Sequence, residues 1–144
     1  MTTVNTSIIK FLENAGCGEF GTNFFINLTP NSLKTPVRVW TVVQMPASLE
    51  KVNVTPEDIQ RFPYTVYYRS ESQEDAQEKI FALAKYISGC RCADLDKFTT
   101  IDVQIVSAQQ GVYQDGEGRW VCSMAFAARL YNLAQSDGEN DING

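Results

Sequence analysis

Apolar residues recur at every third or fourth position in two stretches of the chain, and this spacing predicts two amphipathic helices. The first helix is expected over residues 4–15. The second is expected over residues 73–88, with Ser70 or Ser72 as its N-cap and Gly89 at its C-terminus. The stripe that we expect to be buried in the second helix consists of Ala76, Ile80, Leu83, Ala84 and Ile87.

Alternation of apolar and polar residues predicts strands in the second half of the chain. Residues 98–107 and 119–131 each place apolar side chains on one side, and loop 108–118 joins them. This pattern predicts an antiparallel pair that buries one face. Residues 64–70 are rich in β-branched and aromatic side chains and predict a further strand.

Two predictions concern the first half of the chain. Residues 23–28 and 37–45 read as two strands, and the proline-bounded segment 30–36 between them predicts a hairpin with a long turn. Residues 55–62 predict a short helix, since Thr55 can act as its cap and a proline occupies the first helical position.

These elements predict an α+β fold, with a mainly antiparallel four- to five-stranded sheet on which an N-terminal helix and a central amphipathic helix pack. The chain of 144 residues is long enough for one domain, which we place at residues 1–135. Residues 136–144 are small, polar and acidic, and predict a disordered tail.

Composition and charge restrict the possible functions. The net charge is −5, from 12 basic and 17 acidic residues, which disfavours nucleic-acid binding by bulk charge. The longest apolar run is far shorter than a membrane span, and the N-terminus lacks the pattern of a signal peptide, so we expect synthesis in the cytoplasm and no membrane partner.

Candidate catalytic and metal-binding residues are few. The chain contains no histidine, the commonest general base and the commonest nitrogen ligand of zinc. Cys90 and Cys92 lack the usual two-residue spacing of a metal site and a second close pair, and free thiols are the better interpretation. The carboxylates show no paired spacing either. The residues therefore predict no catalytic site, no cofactor-binding site and no metal site.

The segment "GVYQDGEGRW" at residues 111–120 could be a phosphate-binding loop or a wide turn between strands. A phosphate loop requires glycines that lead into a helix N-terminus, whereas these glycines lead into a strand. We therefore interpret the segment as a hairpin loop. Its length and polarity predict that it is held out from the sheet as a contact element.

Three stretches in this order resemble the tail terminator family of tailed bacteriophages, also described as minor capsid or head–tail joining proteins. They are the predicted first hairpin, the "YTVYYRSESQEDAQEKIFALAKYISG" segment, in which a strand and an arginine precede a helix, and "IVSAQQGVYQDGEGRWVCSMAFAARLY". In the last stretch an acid–glycine turn precedes an arginine and the final strand. The resemblance spans most of residues 4–131.

The resemblance implies a non-enzymatic virion protein that is assembled in the host cytoplasm and resides at the tail–neck junction. Such a protein forms a hexameric ring on the tail tube, stops tail elongation and presents a surface to the head-completion or neck protein. Ring formation requires contacts between two different patches of neighbouring copies. DNA passes through the ring without specific binding, which the acidic balance of the chain suits.

The residues expected at a subunit or tube interface are Arg69, Gln109, Gln110, Tyr113, Asp115, Glu117 and Arg119. Arg69 could instead pair locally with acids of the following helix, and Arg119 could pair within its own chain. The alternatives to a tail terminator are a head-closure or neck connector protein of the same virion, an unrelated small α+β interaction module and a small-molecule enzyme.

Overall fold

The computed structural model describes residues 4–27, 37–51, 58–90, 100–109 and 111–131. Within these residues the chain has two helices and a mixed sheet of seven strands, which confirms the predicted α+β class. The elements in chain order are α1 (Val4–Asn14), β1 (Phe24–Ile26), β2 (Val39–Gln44), β3 (Ser48–Lys51), β4 (Asp58–Ser70), α2 (Gln73–Ser88), β5 (Thr100–Ser107), β6 (Tyr113–Gln114) and β7 (Trp120–Tyr131).

The long strands β4 and β7 form the centre of the sheet. They pair antiparallel from Ile59 opposite Tyr131 to Ser70 opposite Trp120. The order of the strands is β1-β2-β4-β7-β5. The short strand β3 pairs with β4 on the side where β2 also lies. The short strand β6 pairs with β7 on the side where β5 also lies. The predicted pairing of the last two long strands is confirmed, with register shifts in β5.

Both helices pack on the same face of the sheet. Alternate residues of β4 and β7 point toward them, and these include the fully buried Tyr64 and Phe126, whose rings stack at a centroid distance of 5.6 Å. Phe11 of α1 packs against Phe126 at 6.3 Å, and the Tyr68 hydroxyl donates a hydrogen bond to the Asp75 carboxylate of α2 at 2.9 Å. The hydrophobic core therefore lies between the helices and this face.

Helix α2 follows the sequence prediction closely. The Ser72 hydroxyl accepts a hydrogen bond from the Asp75 backbone N–H at 3.2 Å, so Ser72 is the N-cap, and Gly89 is the C-cap residue. All five apolar residues predicted for the inner stripe are buried. The predicted spacing therefore identified the face of α2 that packs on the sheet.

The predicted short helix at residues 55–62 is wrong for its described part, because residues 58–62 belong to β4. Pro63 is tolerated inside this central strand. Its carbonyl accepts a hydrogen bond from Met45 N at 2.9 Å, just after β2 ends at Gln44. The N–H and C=O of one strand residue point to the same side, so the N–H that proline lacks falls in the gap between β2 and β3.

The predicted first hairpin is also wrong. Strand β1 pairs with β2 in parallel, with Phe24 opposite Trp40 and Ile26 opposite Val42. The chain between these strands is long enough for the crossover that parallel pairing needs. The predicted turn at residues 30–36 lies outside the described residues, as does the predicted acidic tail at 136–144.

Candidate functional site: the arginine face

The face of the sheet opposite the helices carries an unusual set of side chains. Of the five arginines whose side chains are described, Arg61, Arg69, Arg119 and Arg129 belong to this face by strand alternation, whereas the three described lysine side chains lie on α1 and α2. We call this surface the arginine face; neither of the two described helices covers it. Arginine and tyrosine are enriched at protein interfaces and lysine is depleted. This segregation is therefore typical of a contact surface.

A cleft of about 240 Å³ opens on the arginine face. The buried side chains of Val39 and Val121 line it together with the guanidinium of Arg69. Tyr113, which is 53% exposed, lies at its edge. The complete lining is Val39, Thr41, Tyr67, Arg69, Tyr113, Asp115 and Val121. The cleft thus combines apolar and aromatic side chains with one cation and one carboxylate.

Strand pairing brings these residues together. Val39 and Thr41 of β2 lie opposite Arg69 and Tyr67 of β4, and Arg69 lies opposite Val121 of β7. Because the side-chain period of a strand is two, all of them point to the same side of the sheet. Tyr113 joins them because β6 pairs with β7.

The turn after β6 is held by Asp115. Its Oδ1 accepts hydrogen bonds from the backbone N–H groups of Glu117 and Arg119, both at 2.9 Å, and its Oδ2 accepts one from Arg119 Nε at 3.1 Å. Gly118 adopts a φ of 81°, the left-handed region that favours glycine. Gly118 therefore serves the turn, and the hairpin interpretation of residues 111–120 is confirmed.

The electrostatics of this turn favour an ionised Asp115. Partial burial raises its pKa, but the two backbone hydrogen bonds and the positive charge of Arg119 outweigh that effect, so the pKa is lowered overall. Arg119 also forms an ion pair with Glu117 at 2.8 Å. In this turn the cation of Arg119 is thus paired with the carboxylates of Asp115 and Glu117.

Arg69 is in a less favourable environment for its charge. Burial lowers its pKa, and the nearby charge of Arg119 lowers it further, while Asp115 and Glu117 act in the opposite direction. The net result is a lowered pKa, and burial is its largest cause.

A second pair of arginines lies at the other end of the face. Arg61 of β4 is directly opposite Arg129 of β7, an arrangement that places like charges side by side. Arg129 forms an ion pair with Asp102 of β5 at 2.8 Å. The arginine face therefore has positive groups at both ends, each accompanied by acids.

In the described part of the chain, no group of three or more histidine, cysteine, aspartate or glutamate side chains is positioned to hold a metal ion. Neither described helix has the length and apolar character needed to cross a bilayer. Burial raises the pKa of Cys17, which keeps this thiol protonated and unreactive.

Comparison with protein-family models and with curated proteins yields no match. Among solved structures, the chain is similar to a chain from the virion of a native gene transfer agent particle. The two are 12% identical, and the alignment covers 90% of this chain and 92% of the other, with a TM-score of 0.49. This degree of similarity is too low to assign a family or a function.

The structure brings together most of the residues that the sequence suggested. Arg69, Tyr113 and Asp115 line the cleft, and Glu117 and Arg119 complete the turn beside it. Whether they contact another protein stays a prediction. The loop is not held out from the sheet throughout, because Tyr113 and Gln114 pair with β7.

Other members of the predicted set lie elsewhere. Gln109 donates a hydrogen bond from Nε2 to Cys122 Sγ at 3.4 Å, and Gln110 is outside the described residues. Two acids near the start of α2 interact with Arg38: Glu71, just before the helix, at 2.7 Å, and Asp75, within it, at 3.7 Å.

Sequence reasoning missed Val39, Thr41, Tyr67 and Val121 as parts of the site. Their positions within strands were predicted, but not the order of the strands. The sequence did contain one signal of the site. Tyr67 and Arg69 are two residues apart in a predicted strand, so their side chains lie on the same side of β4.

Proposed function

We propose that this chain is a non-enzymatic virion assembly protein that forms a hexameric ring on the end of a phage tail tube. The ring stops tail elongation and provides the surface that joins the tail to the head or neck. The observation that carries this proposal is the arginine face, where a cleft combines arginine and tyrosine side chains on a sheet surface that no described helix covers. Such a surface is suited to burial against another protein.

The position of the cleft agrees with the sequence resemblance. Its residues come from β2, from the end of β4 just before α2, and from β6, the following turn and the start of β7. These elements belong to the three stretches that resemble tail terminators. The partners proposed on this basis are other copies of the chain, the tail tube protein and the head-completion or neck protein, with the assembled protein at the tail–neck junction.

The net charge of the chain supports a channel through which DNA passes without binding. Each copy carries −5, so a ring of six copies repels phosphate on average. The arginines of the arginine face are accompanied by Asp102, Asp115 and Glu117, which limits their attraction for DNA.

Native mass spectrometry together with a tube-assembly assay tests the proposal. We expect a species of six times the 16.1 kDa chain mass. We also expect that adding the protein to polymerising tail tube protein stops elongation. Binding to the neck protein without any effect on tube length would favour head closure instead. A chain that stays monomeric alone and with both partners would contradict the proposal.

A further inference from the structure

Helix α2 exposes a large apolar side chain that the fold does not use. Phe81 is 64% exposed, more than any other large apolar side chain in the described residues. It lies away from the inner stripe, which is complete without it. Glu74 and Glu78 are also exposed, and their spacing of four and three residues places them with Phe81 along one side of the helix. We call Glu74, Glu78 and Phe81 the outer stripe of α2.

We propose that the outer stripe of α2 from one copy of the chain seats in the cleft on the arginine face of a second copy. Phe81 enters the cleft, and Glu78 and Glu74 approach Arg69 and Arg119. This inference rests on the proposed ring and specifies which two surfaces meet in it.

The chemistry of the two surfaces is complementary. The cleft offers Val39 and Val121 to the body of the phenyl ring, and Tyr67 and Tyr113 to its faces or edges. The Arg69 guanidinium can lie against an aromatic ring as a cation–π partner. Glu78 precedes Phe81 by about 4.5 Å along the helix axis, at a rise of about 1.5 Å per residue. That distance allows its carboxylate to reach a guanidinium beside the seated ring.

The charges also match. Among the side chains that the structure describes, the arginine face carries four arginines and three acids, a balance of +1, whereas α2 carries Glu74, Asp75 and Glu78 against two lysines, a balance of −1. Arg69, the cation in the lining of the cleft, would then face Glu78 across the contact.

The positions of the two surfaces allow each copy to contact two neighbours. The outer stripe of α2 belongs to the helix layer, and the cleft is on the opposite face of the sheet. A contact between them joins two different patches, so each copy can bind one neighbour through each surface. Such a heterologous contact produces a ring when its rotation closes.

A charge exchange between the two surfaces tests the inference. Glu78→Arg and Arg69→Glu, each alone, are expected to weaken association by at least about tenfold, as measured by native mass spectrometry and light scattering over a concentration series. An equimolar mixture of the two variants is expected to recover assembly, because each subunit then offers an unaltered or complementary surface to the other. Glu19→Arg makes the same charge change at an exposed site outside both surfaces and should assemble like the wild type.

A second variant makes the test independent of Arg69, which is partly buried. Phe81→Ser combined with Glu78→Arg alters only exposed helix positions and should remain folded by circular dichroism while losing assembly. If that variant forms rings like the wild type, or if the charge-exchanged mixture stays dissociated, the proposed contact between the two surfaces is wrong, whereas the proposed ring is unaffected. A wild-type protein that is monomeric at every concentration and with tube protein added would overturn both.

Discussion

At the scale of single residues, the Tyr64 hydroxyl fixes helix α1 to the sheet. Tyr64 is fully buried and donates a hydrogen bond to Asn5 Oδ1 at 2.7 Å, and Asn5 Nδ2 donates to Gln44 Oε1 at 2.9 Å. This chain of polar groups joins α1, β4 and β2. Because it is partly buried, each member depends on the others for its hydrogen bonds.

Tyr64→Phe is expected to destabilise the protein by about 1 kcal/mol, or about 3 °C in Tm, because Asn5 Oδ1 loses its donor inside the fold. Tyr67→Phe is the matched control, since Tyr67 is the same residue type on the opposite face of the same strand. Thermal unfolding of both variants measures the difference. Equal Tm values for the two would show that the Tyr64 hydrogen bond does not stabilise the docking of α1.

Asp115→Ala tests the turn that borders the cleft. The variant removes the acceptor of three hydrogen bonds, and we expect a loss of about 1 kcal/mol, since the group is partly exposed to solvent. The pKa of Asp115 is lowered in the fold. Its contribution is therefore complete above its unfolded pKa of about 3.9 and is lost as the pH falls through the folded value.

Urea unfolding of the wild type and Asp115→Ala over a pH series measures this contribution. The difference in unfolding free energy should be constant near neutral pH and should shrink below about pH 4. A difference that persists unchanged into strong acid would mean that the carboxylate charge does not hold the turn.

At the scale of elements, α2 depends on its buried stripe. Ile80→Asp should unfold the protein, because Ile80 is fully buried and an unpaired carboxylate there costs several kcal/mol. Ala82→Asp, two residues away and exposed, should cost less than about 1 kcal/mol. Circular dichroism melts distinguish the two. A folded Ile80→Asp variant with a wild-type Tm would mean that the packed face of α2 is assigned wrongly.

The elements that the sequence predicted well are those whose pattern is local. Helix α2 has its apolar spacing, its cap at Ser72 and its closing Gly89 within one stretch, and the structure confirms each of them. The two wrong predictions depend on how strands pair, which the local pattern of a segment does not specify. A capping threonine and a proline at the first helical position favoured a helix, but pairing with β3 and β7 makes residues 58–62 a strand. Likewise, no local signal shows that β1 pairs with β2 in parallel.

At the scale of the whole molecule, the candidate site was predictable only in part. Polarity and glycine content pointed to the loop that supplies Tyr113 and Asp115. The cleft itself depends on β2 lying beside β4 and β4 beside β7, which places Val39, Arg69 and Val121 in one row across three strands. That row is a property of the strand order, which single-strand patterns do not specify.

Replacing residues 109–117 with a short Asn-Gly turn tests the role of this loop in the assembled molecule. The replacement removes Tyr113 and Asp115 from the cleft and leaves the pairing of β4 with β7 in place, so the protein should fold with a modestly lower Tm. We expect weaker ring formation and tails that exceed their normal length, because the cleft loses one side. Gly116→Ala keeps the loop, since a methyl group there meets open space, and should assemble like the wild type. Rings and normal tails from the shortened protein would show that the loop has no role in assembly, and would leave the strands alone as the contact surface.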